Sequence, residues 1–237
     1  MRTSKDQNVS ICGSKLDISV VIPTLNAVDG LESTLANLGD AASEVIVVDG
    51  GSSDGTLLLA EQLGARLVKA ERGRGVQMRA GAAAARGGWL LFLHADTKLG
   101  EGWQEDVRRF IGQPGNESRA AAFCFKLDDG DRAARRLERL VAWRCRRFGL
   151  PYGDQGLLIQ RVFYERLGGF KPIPLMEDVD LVRRIGRQNI VMLDTDAVTS
   201  AARYRRNGYW RRSARNLLLL SLYWLGVPPR LLVRAYG

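Results

Sequence analysis

EVIVVDGGSSDGT, residues 44–56, is an apolar run that ends on an aspartate and breaks at once into glycine and serine. Val45, Ile46, Val47 and Val48 are all β-branched, which suits an extended chain buried on both faces. Asp54 reads as turn chemistry and as the N-cap of a helix over 55–64. Working outward, the same cadence repeats. ISVVIPT (18–24) is a strand ended by Pro23, and Val28, Leu31, Leu35 and Leu38 give residues 28–39 helical spacing. ARLVKA (65–70) is a third strand, followed by the loop Glu71–Gly75 and an Ala-rich helix to Arg86. WLLFLH (89–94) is a fourth. This alternation predicts an α/β fold with a mostly parallel central sheet flanked by helices. Ligands gather at the carboxyl ends of strands in such sheets. Here those ends are Thr24–Asn26, Asp49–Ser53, Glu71–Arg74 and His94–Asp96.

The second half reads differently. Residues 120–127 are a strand, 131–148 an amphipathic helix, and 157–160 a further strand after the Gly-rich loop Pro151–Gly156. Glu177 opens a helix to about Arg187, and Ile190–Leu193 is a short strand. Charge is unevenly placed across the 237 residues, where 35 Lys and Arg against 26 Asp and Glu give +9. Residues 197–237 hold eight Arg, no Lys and no acid, and residues 131–147 carry a further net +5, so the remainder is slightly acidic. The basic surface belongs to two segments. Cys12, Cys124 and Cys145 lack disulfide or zinc spacing, as expected in a reducing cytosol. Residues 1–17 read as a flexible polar tail without the apolar segment of a secretory signal.

Each rim residue has a structural and a functional reading. Asp49 ends a buried strand and can accept hydrogen bonds from a nucleobase or ribose. His94 reads either as a satisfied strand-end residue or as a ligand contact. Two residues on in an extended segment, Asp96 would share its side and can hold Mg²⁺ or Mn²⁺ against phosphate. Arg72, Arg74 and Arg79, with Gly73 and Gly75 between them, suit a diphosphate. Glu177, Asp178 and Asp180 are favoured in a first helical turn by the helix dipole alone, but adjacent carboxylates also raise one pKa, which suits a general base.

Together these stretches resemble a family-2 glycosyltransferase of the GT-A fold: VVIPTLNA (20–27), VIVVDGGSSDGT (45–56), RGRGVQMRAGA (72–82), WLLFLHADT (89–97), GDQG (153–156), LGGF (167–170) and MEDVDL (176–181). FLHADT, PLMEDVDL, TSAARY and LGVPPRLLVRAY further resemble a bacterial arsenosugar-type subgroup. The resemblance implies inverting transfer of a sugar from a nucleotide-diphosphate donor to an acceptor hydroxyl. It makes Pro23, Thr24, Asn26 and Asp49 nucleoside contacts, Arg72 and Arg79 diphosphate contacts, and Asp96 the ligand of a divalent metal (Mn²⁺ or Mg²⁺). Asp178, beside Glu177, becomes the base, and Gly153, Asp154 and Gln155 shape the acceptor side. It divides the chain into residues 18–98 for the donor, 99–200 for the acceptor, and a basic helical tail over 201–237.

Three positions depart from the family pattern. His94 replaces the first Asp of the D-x-D element, Gly50 the second Asp of the DDGS loop, and Ala202 the first of two consecutive Arg. The apolar run Leu217–Leu225 rises only about 13–14 Å as a helix and cannot span a bilayer. With Arg211, Arg212 and Arg215 beside Trp210, Tyr223 and Trp224, it reads as an interfacial anchor. That predicts a cytoplasmic protein, peripheral on the inner face of the membrane, with a lipid-linked acceptor. The rival readings are a nucleotidyltransferase and a basic nucleic-acid-binding module. The acidic rim and the lack of a reader motif argue against nucleic acid.

Overall fold

The computed structural model describes residues 15–236. In chain order the elements are β1 (Leu16–Thr24), α1 (Val28–Leu38), β2 (Ala42–Asp49), α2 (Thr56–Gln62), β3 (Arg66–Lys69), α3 (Arg74–Ala84), β4 (Trp89–Phe92), β5 (Thr97–Leu99) and α4 (Trp103–Gly112). They continue as β6 (Ala120–Leu127), α5 (Arg132–Phe148), β7 (Leu157–Gln160), α6 (Arg161–Arg166), α7 (Glu177–Ile185), β8 (Ile190–Thr199), α8 (Ala202–Asn207), α9 (Tyr209–Trp224) and α10 (Pro229–Tyr236). The sheet runs β3-β2-β1-β4-β7-β6-β8-β5.

Side chains alternate across a strand, so the all-apolar runs feed two cores at once. Val20, Ile22 and Val47 pack with Leu31 and Leu35 of α1 and with Trp103 and Phe110 of α4. Val21, Ile46 and Val48 pack on the other face with Met78 and Ala82 of α3, Phe163 of α6 and Leu181 of α7. A third cluster joins Ala134, Val141 and Cys145 of α5 to Phe125 of β6 and Tyr204 of α8. Gly81 sets the seating of α3, because a Cβ there would lie 2.3 Å from Val21 Cγ1 and 2.8 Å from Val48 Cγ2. Gly81→Ala is therefore an overpacking change, and we expect it to lower unfolding stability by about 1–3 kcal/mol in urea titration. A loss below experimental error would show that the interface yields.

The parallel expectation holds for β3-β2-β1-β4 and for β6–β8. The sheet beyond β4 is mixed, since β4–β7, β6–β7 and β5–β8 are antiparallel. Several boundaries also move. Residues 1–14 lie outside the described residues, but Leu16 and Asp17, assigned to the flexible tail, open β1. The fourth strand stops at Phe92 and the chain turns at Ala95–Asp96, so His94 and Asp96 do not share one extended segment. The last strand extends to Thr199 because β6 pairs it on both sides of an irregularity between Ala122 and Cys124. Helix α7 ends at Ile185, where Gly186 has φ +83°. Asp54 stands one residue outside the N-cap Gly55, yet it accepts from Thr56 N at 3.0 Å and so still satisfies the helix start.

Candidate active site

The ends of β1 and β2 are laced together. Asn26 has φ +50°, and its Oδ1 accepts from Ser53 N at 2.9 Å while its own N–H donates to Ser52 Oγ at 2.9 Å. Ala27 N donates to Thr56 Oγ1 at 2.9 Å. Asp49 is buried, accepting from Gly51 N at 2.8 Å, Ser52 N at 2.9 Å and Thr24 Oγ1 at 3.2 Å, with Ser52 Oγ as a fourth donor. Burial alone would raise this carboxyl, but the donors from Ser52, Gly51 and Thr24 outweigh it and hold it below the usual range. Four donors fill a carboxylate's ordinary capacity. Asp49 thus shapes the loop, with Pro23 half-buried beside Thr24 in β1.

Beneath this loop lies a residue the sequence reading did not single out. Gln77 is buried in α3, and its Nε2 donates to Thr24 O at 2.7 Å and Val48 O at 2.8 Å. Both strand ends thereby find a partner for a buried carbonyl. A Cβ on Gly50 would fall 3.1 Å from the Gln77 amide, which gives a packing reason for glycine where the commoner loop has a second Asp.

The second half of the rim is a cluster of charges around Arg74. Gly75 allows α3 to start hard against the segment before α7, since a Cβ there would lie 2.3 Å from Lys171 O. Arg74 Nε consequently reaches Glu177 Oε1 at 3.2 Å, and Arg74 Nη2 lies 2.6 Å from His94 Nε2. A guanidinium has only donors, so Nε2 accepts and His94 Nδ1 carries the proton that faces Asp154 Oδ1 at 3.2 Å. Desolvation would raise Asp154, but the His94 hydrogen bond and the charges of Arg74 and Arg212 hold it well below the usual carboxylate range. Glu177 shows the opposite balance. Its burial pushes the carboxyl up, Arg74 pulls it back, and Asp178 pushes it up again.

Asp178 is half-buried, and its Oδ2 accepts from Gly153 N at 2.8 Å while Oδ1 accepts from Val179 N at 2.7 Å. The preceding Met176 holds φ +65°, a left-handed conformation that costs a non-glycine residue energy and recurs at functional sites. A narrow cleft with about 20 Å³ of free room runs between these groups, lined by Arg74, Phe92, His94, Tyr152, Gly153 and Asp178 among others. The Tyr152 hydroxyl is buried in it, and desolvation pushes that phenol up to about 12.

The remaining expected residues fall as follows. Gln155 is buried and structural, with Nε2 donating to Phe123 O at 3.0 Å. Arg72 is exposed on the loop before α3. Arg79 is exposed further along α3, close enough to Tyr164 for its charge to act on that phenol. Asp96 is half-buried in its turn, packed against Gly30, with its carbonyl accepting from Ser200 N at 3.2 Å. Among the described residues no three His, Cys, Asp or Glu side chains assemble into a metal-holding group. A single carboxylate still fits Mg²⁺ or Mn²⁺, hard ions commonly held by one or two carboxylates plus substrate phosphate and water. Arg74 was grouped with its neighbours by the Gly-Arg-Gly spacing alone, because its partners Glu177 and His94 come from distant strands and helices.

Comparison with known proteins agrees with this architecture. An uncharacterized glycosyltransferase of Rickettsia bellii is 33% identical over 111 residues, covering 46% of this chain and 37% of the relative. A PGL/p-HBAD biosynthesis glycosyltransferase of Mycobacterium tuberculosis is 38% identical over 106 residues, covering 40% of this chain and 41% of the relative. The matched stretches thus span about two fifths of those relatives' lengths. Among solved structures, glucosyl-3-phosphoglycerate synthase from Mycobacterium tuberculosis, in complex with Mn²⁺, UDP and glucosyl-3-phosphoglycerate, has a TM-score of 0.58 at 24% identity, covering 89% of this chain and 80% of that one. The mannosyltransferase PcManGT from Pyrobaculum calidifontis, in complex with GDP-Man and Mn²⁺, has a TM-score of 0.63 at 20% identity, covering 87% and 63%. The fold is that of the GT-A glycosyltransferases. Residues 19–168, well over half of the chain, match Glycosyl transferase family 2, and the protein belongs to that family.

Proposed function

We propose that the protein transfers a sugar from a nucleoside-diphosphate donor to an acceptor hydroxyl with inversion, Asp178 acting as the base. The observation that carries this reading is the Asp178 carboxylate, fixed in the cleft by Gly153 N–H at 2.8 Å and flanked there by Arg74 and His94. Asp178 takes the proton of the acceptor hydroxyl, whose oxygen bonds to the anomeric carbon as the bond to the diphosphate breaks. The electron pair leaves on the diphosphate. Thr24, Asn26 and the loop braced by Asp49 form the bed for the nucleoside, with Arg72 at the mouth of α3. Asp96 is the residue to hold a divalent ion, which when bound offsets charge growing on the leaving group.

The test is a thermal-shift panel of nucleotide sugars with and without Mn²⁺. At a ligand concentration of 100 Kd the fold gains about 2.7 kcal/mol, so the cognate donor stands out. No shift with any nucleotide sugar would overturn the reading. Asp96→Asn is expected to remove most of the Mn²⁺-dependent part of that shift, and an unchanged metal titration would assign the ion elsewhere.

The tail helices support a second part of the proposal, contact with a membrane surface and a lipid-linked acceptor. Trp210, Leu217, Leu218 and Leu225 are 71%, 63%, 59% and 82% exposed on α9 and the turn after it. Such apolar exposure beside arginines suits a helix lying in the interface plane. No helix among the described residues is long and apolar enough to cross a membrane. We expect L217N/L218N to lower recovery with anionic vesicles severalfold while the melting temperature holds. Equal recovery would remove the membrane contact from the proposal.

A further inference from the structure

Several arginines pair with a carboxylate. Arg66 pairs with Glu44, Arg135 with Glu138, Arg184 with Asp180, and Arg205 with Asp128 and Asp129. Arg206, Arg211 and Arg212 have no such ion pair among the described residues. Where α8 turns into α9, Arg206, Asn207, Arg211, Arg212 and Arg215 line a pocket of about 380 Å³, and no acidic side chain is among them. Guanidinium groups cannot shed their protons to relieve the repulsion. The fold therefore holds a permanent concentration of positive charge around an open space.

Arg212 supplies an independent sign. Its guanidinium stands over the Tyr204 ring at 5.0 Å, which fixes its place, yet its Nε is buried with no hydrogen-bond acceptor among the described residues. A buried donor without an acceptor is costly unless something fills the position. An anionic oxygen would do so, and arginine forks match phosphate oxygens in pairs. The charge of Arg212 acts on Asp154, whose chain neighbour Gly153 holds Asp178.

We infer that the pocket formed by Arg206, Arg211, Arg212 and Arg215 binds a phosphate or diphosphate group carried by the acceptor. The assignment to the acceptor rests on the transfer reading above. Asp96 and Arg72 already serve the donor diphosphate there, whereas the charge of Arg212 reaches Asp154, next to the Gly153 that holds the base. A phosphate seated among these arginines would tether the acceptor so that its hydroxyl reaches Asp178. The phosphate can belong to a lipid headgroup or to a soluble phosphate ester.

The experiment is calorimetric titration with inorganic pyrophosphate in EDTA, at low and high salt, on the full chain. Wild type is expected to bind, and R206Q/R211Q to bind about tenfold or more weakly with a shallower salt dependence, since each lost contact is charge-assisted. Both residues are exposed, and R206K/R211K, which keeps the charge but loses the fork, should fall between them. The Lys pair decides the matter if the Gln pair does not fold. Asp96→Asn should bind as wild type. No pyrophosphate binding by wild type, equal binding by the arginine variants, or loss in D96N would each overturn the assignment.

Sedimentation with phosphatidylcholine vesicles containing phosphatidic acid separates the sources. Retention that pyrophosphate competes away, and that R206Q/R211Q lacks, assigns a lipid headgroup. Pyrophosphate binding without such retention assigns a soluble ester. The titration contains neither nucleotide sugar nor metal, so its failure leaves the transfer reading in place. A failed nucleotide-sugar panel leaves the anion pocket in place and removes only its assignment to an acceptor.

Discussion

Asp178→Asn is expected to lower sugar transfer by about 10²–10⁴-fold, the usual size of a general-base contribution, while donor binding stays within about twofold. The amide is nearly isosteric with the carboxylate. Its oxygen can still accept from Gly153 N, as Oδ2 does at 2.8 Å, and α7 keeps its first turn. What is lost is the capacity to take a proton from the acceptor. The effect should therefore appear in kcat and in the stoichiometry of product, and not in the thermal shift produced by donor with Mn²⁺. Full activity in this variant would remove Asp178 from the reaction. Glu177 would then be the next carboxylate to consider, because burial already raises it and Arg74 Nε lies 3.2 Å away.

Gly153→Ala is expected to cost at least about 10²-fold in kcat with little change in melting temperature. A Cβ at this position would lie 2.2 Å from Arg74 Nη2, 2.7 Å from His94 Nε2 and 3.2 Å from Asp178 Oδ2. All three are the ends of side chains that line the cleft, so the fold can yield where the site cannot. Displacing reacting groups by about 1 Å is enough for a loss of this size. The contrast with Gly81→Ala is the point of the experiment, since there the added methyl meets Val21 and Val48 in the core and stability carries the penalty. If Gly153→Ala kept wild-type kcat, the Arg74–His94–Asp178 arrangement would have no part in catalysis.

The extent of what could be read in advance follows from how local each signal is. The apolar runs of β1 and β2 are self-evident because both faces of these strands are buried, and every side chain says so. The Glu177–Asp178 pair is legible because two adjacent acids at a helix start are chemically conspicuous. Strand β5 is not, being three residues long and defined only by its pairing with β8, where Thr97 Oγ1 donates to Thr199 Oγ1 at 3.1 Å across 102 positions. The antiparallel turn of the sheet at β4–β7 is equally silent, because strand direction leaves no mark on composition. That Asp49 accepts from Thr24, Gly51 and Ser52 is not legible either, because it depends on the fold of two loops. Arg74 outranks Arg79 at the cleft for a similar reason, since the choice is made by Gly75 meeting Lys171 O and not by the arginines themselves.

The β5–β8 ladder also governs when this protein can become competent. Strand β1 finds β2 about 26 positions away in the register Leu16↔Ala42, a short loop to close, whereas the turn bearing Asp96, held early by Thr34 Oγ1 on Ala95 O at 2.9 Å, gains its last partner only when β8 arrives and Ser200 N reaches Asp96 O. Closing a longer loop carries a larger entropic penalty, and contacts of high sequence separation form slowly. During synthesis, the strands β1 to β4 can pair as they emerge, N-terminal part first. The β5–β8 ladder and the Ser200 N–Asp96 O bond must wait for residue 200. Nascent chains shorter than this can hold a well-formed β3-β2-β1-β4 sheet while the Asp96 turn still lacks its β8 partner.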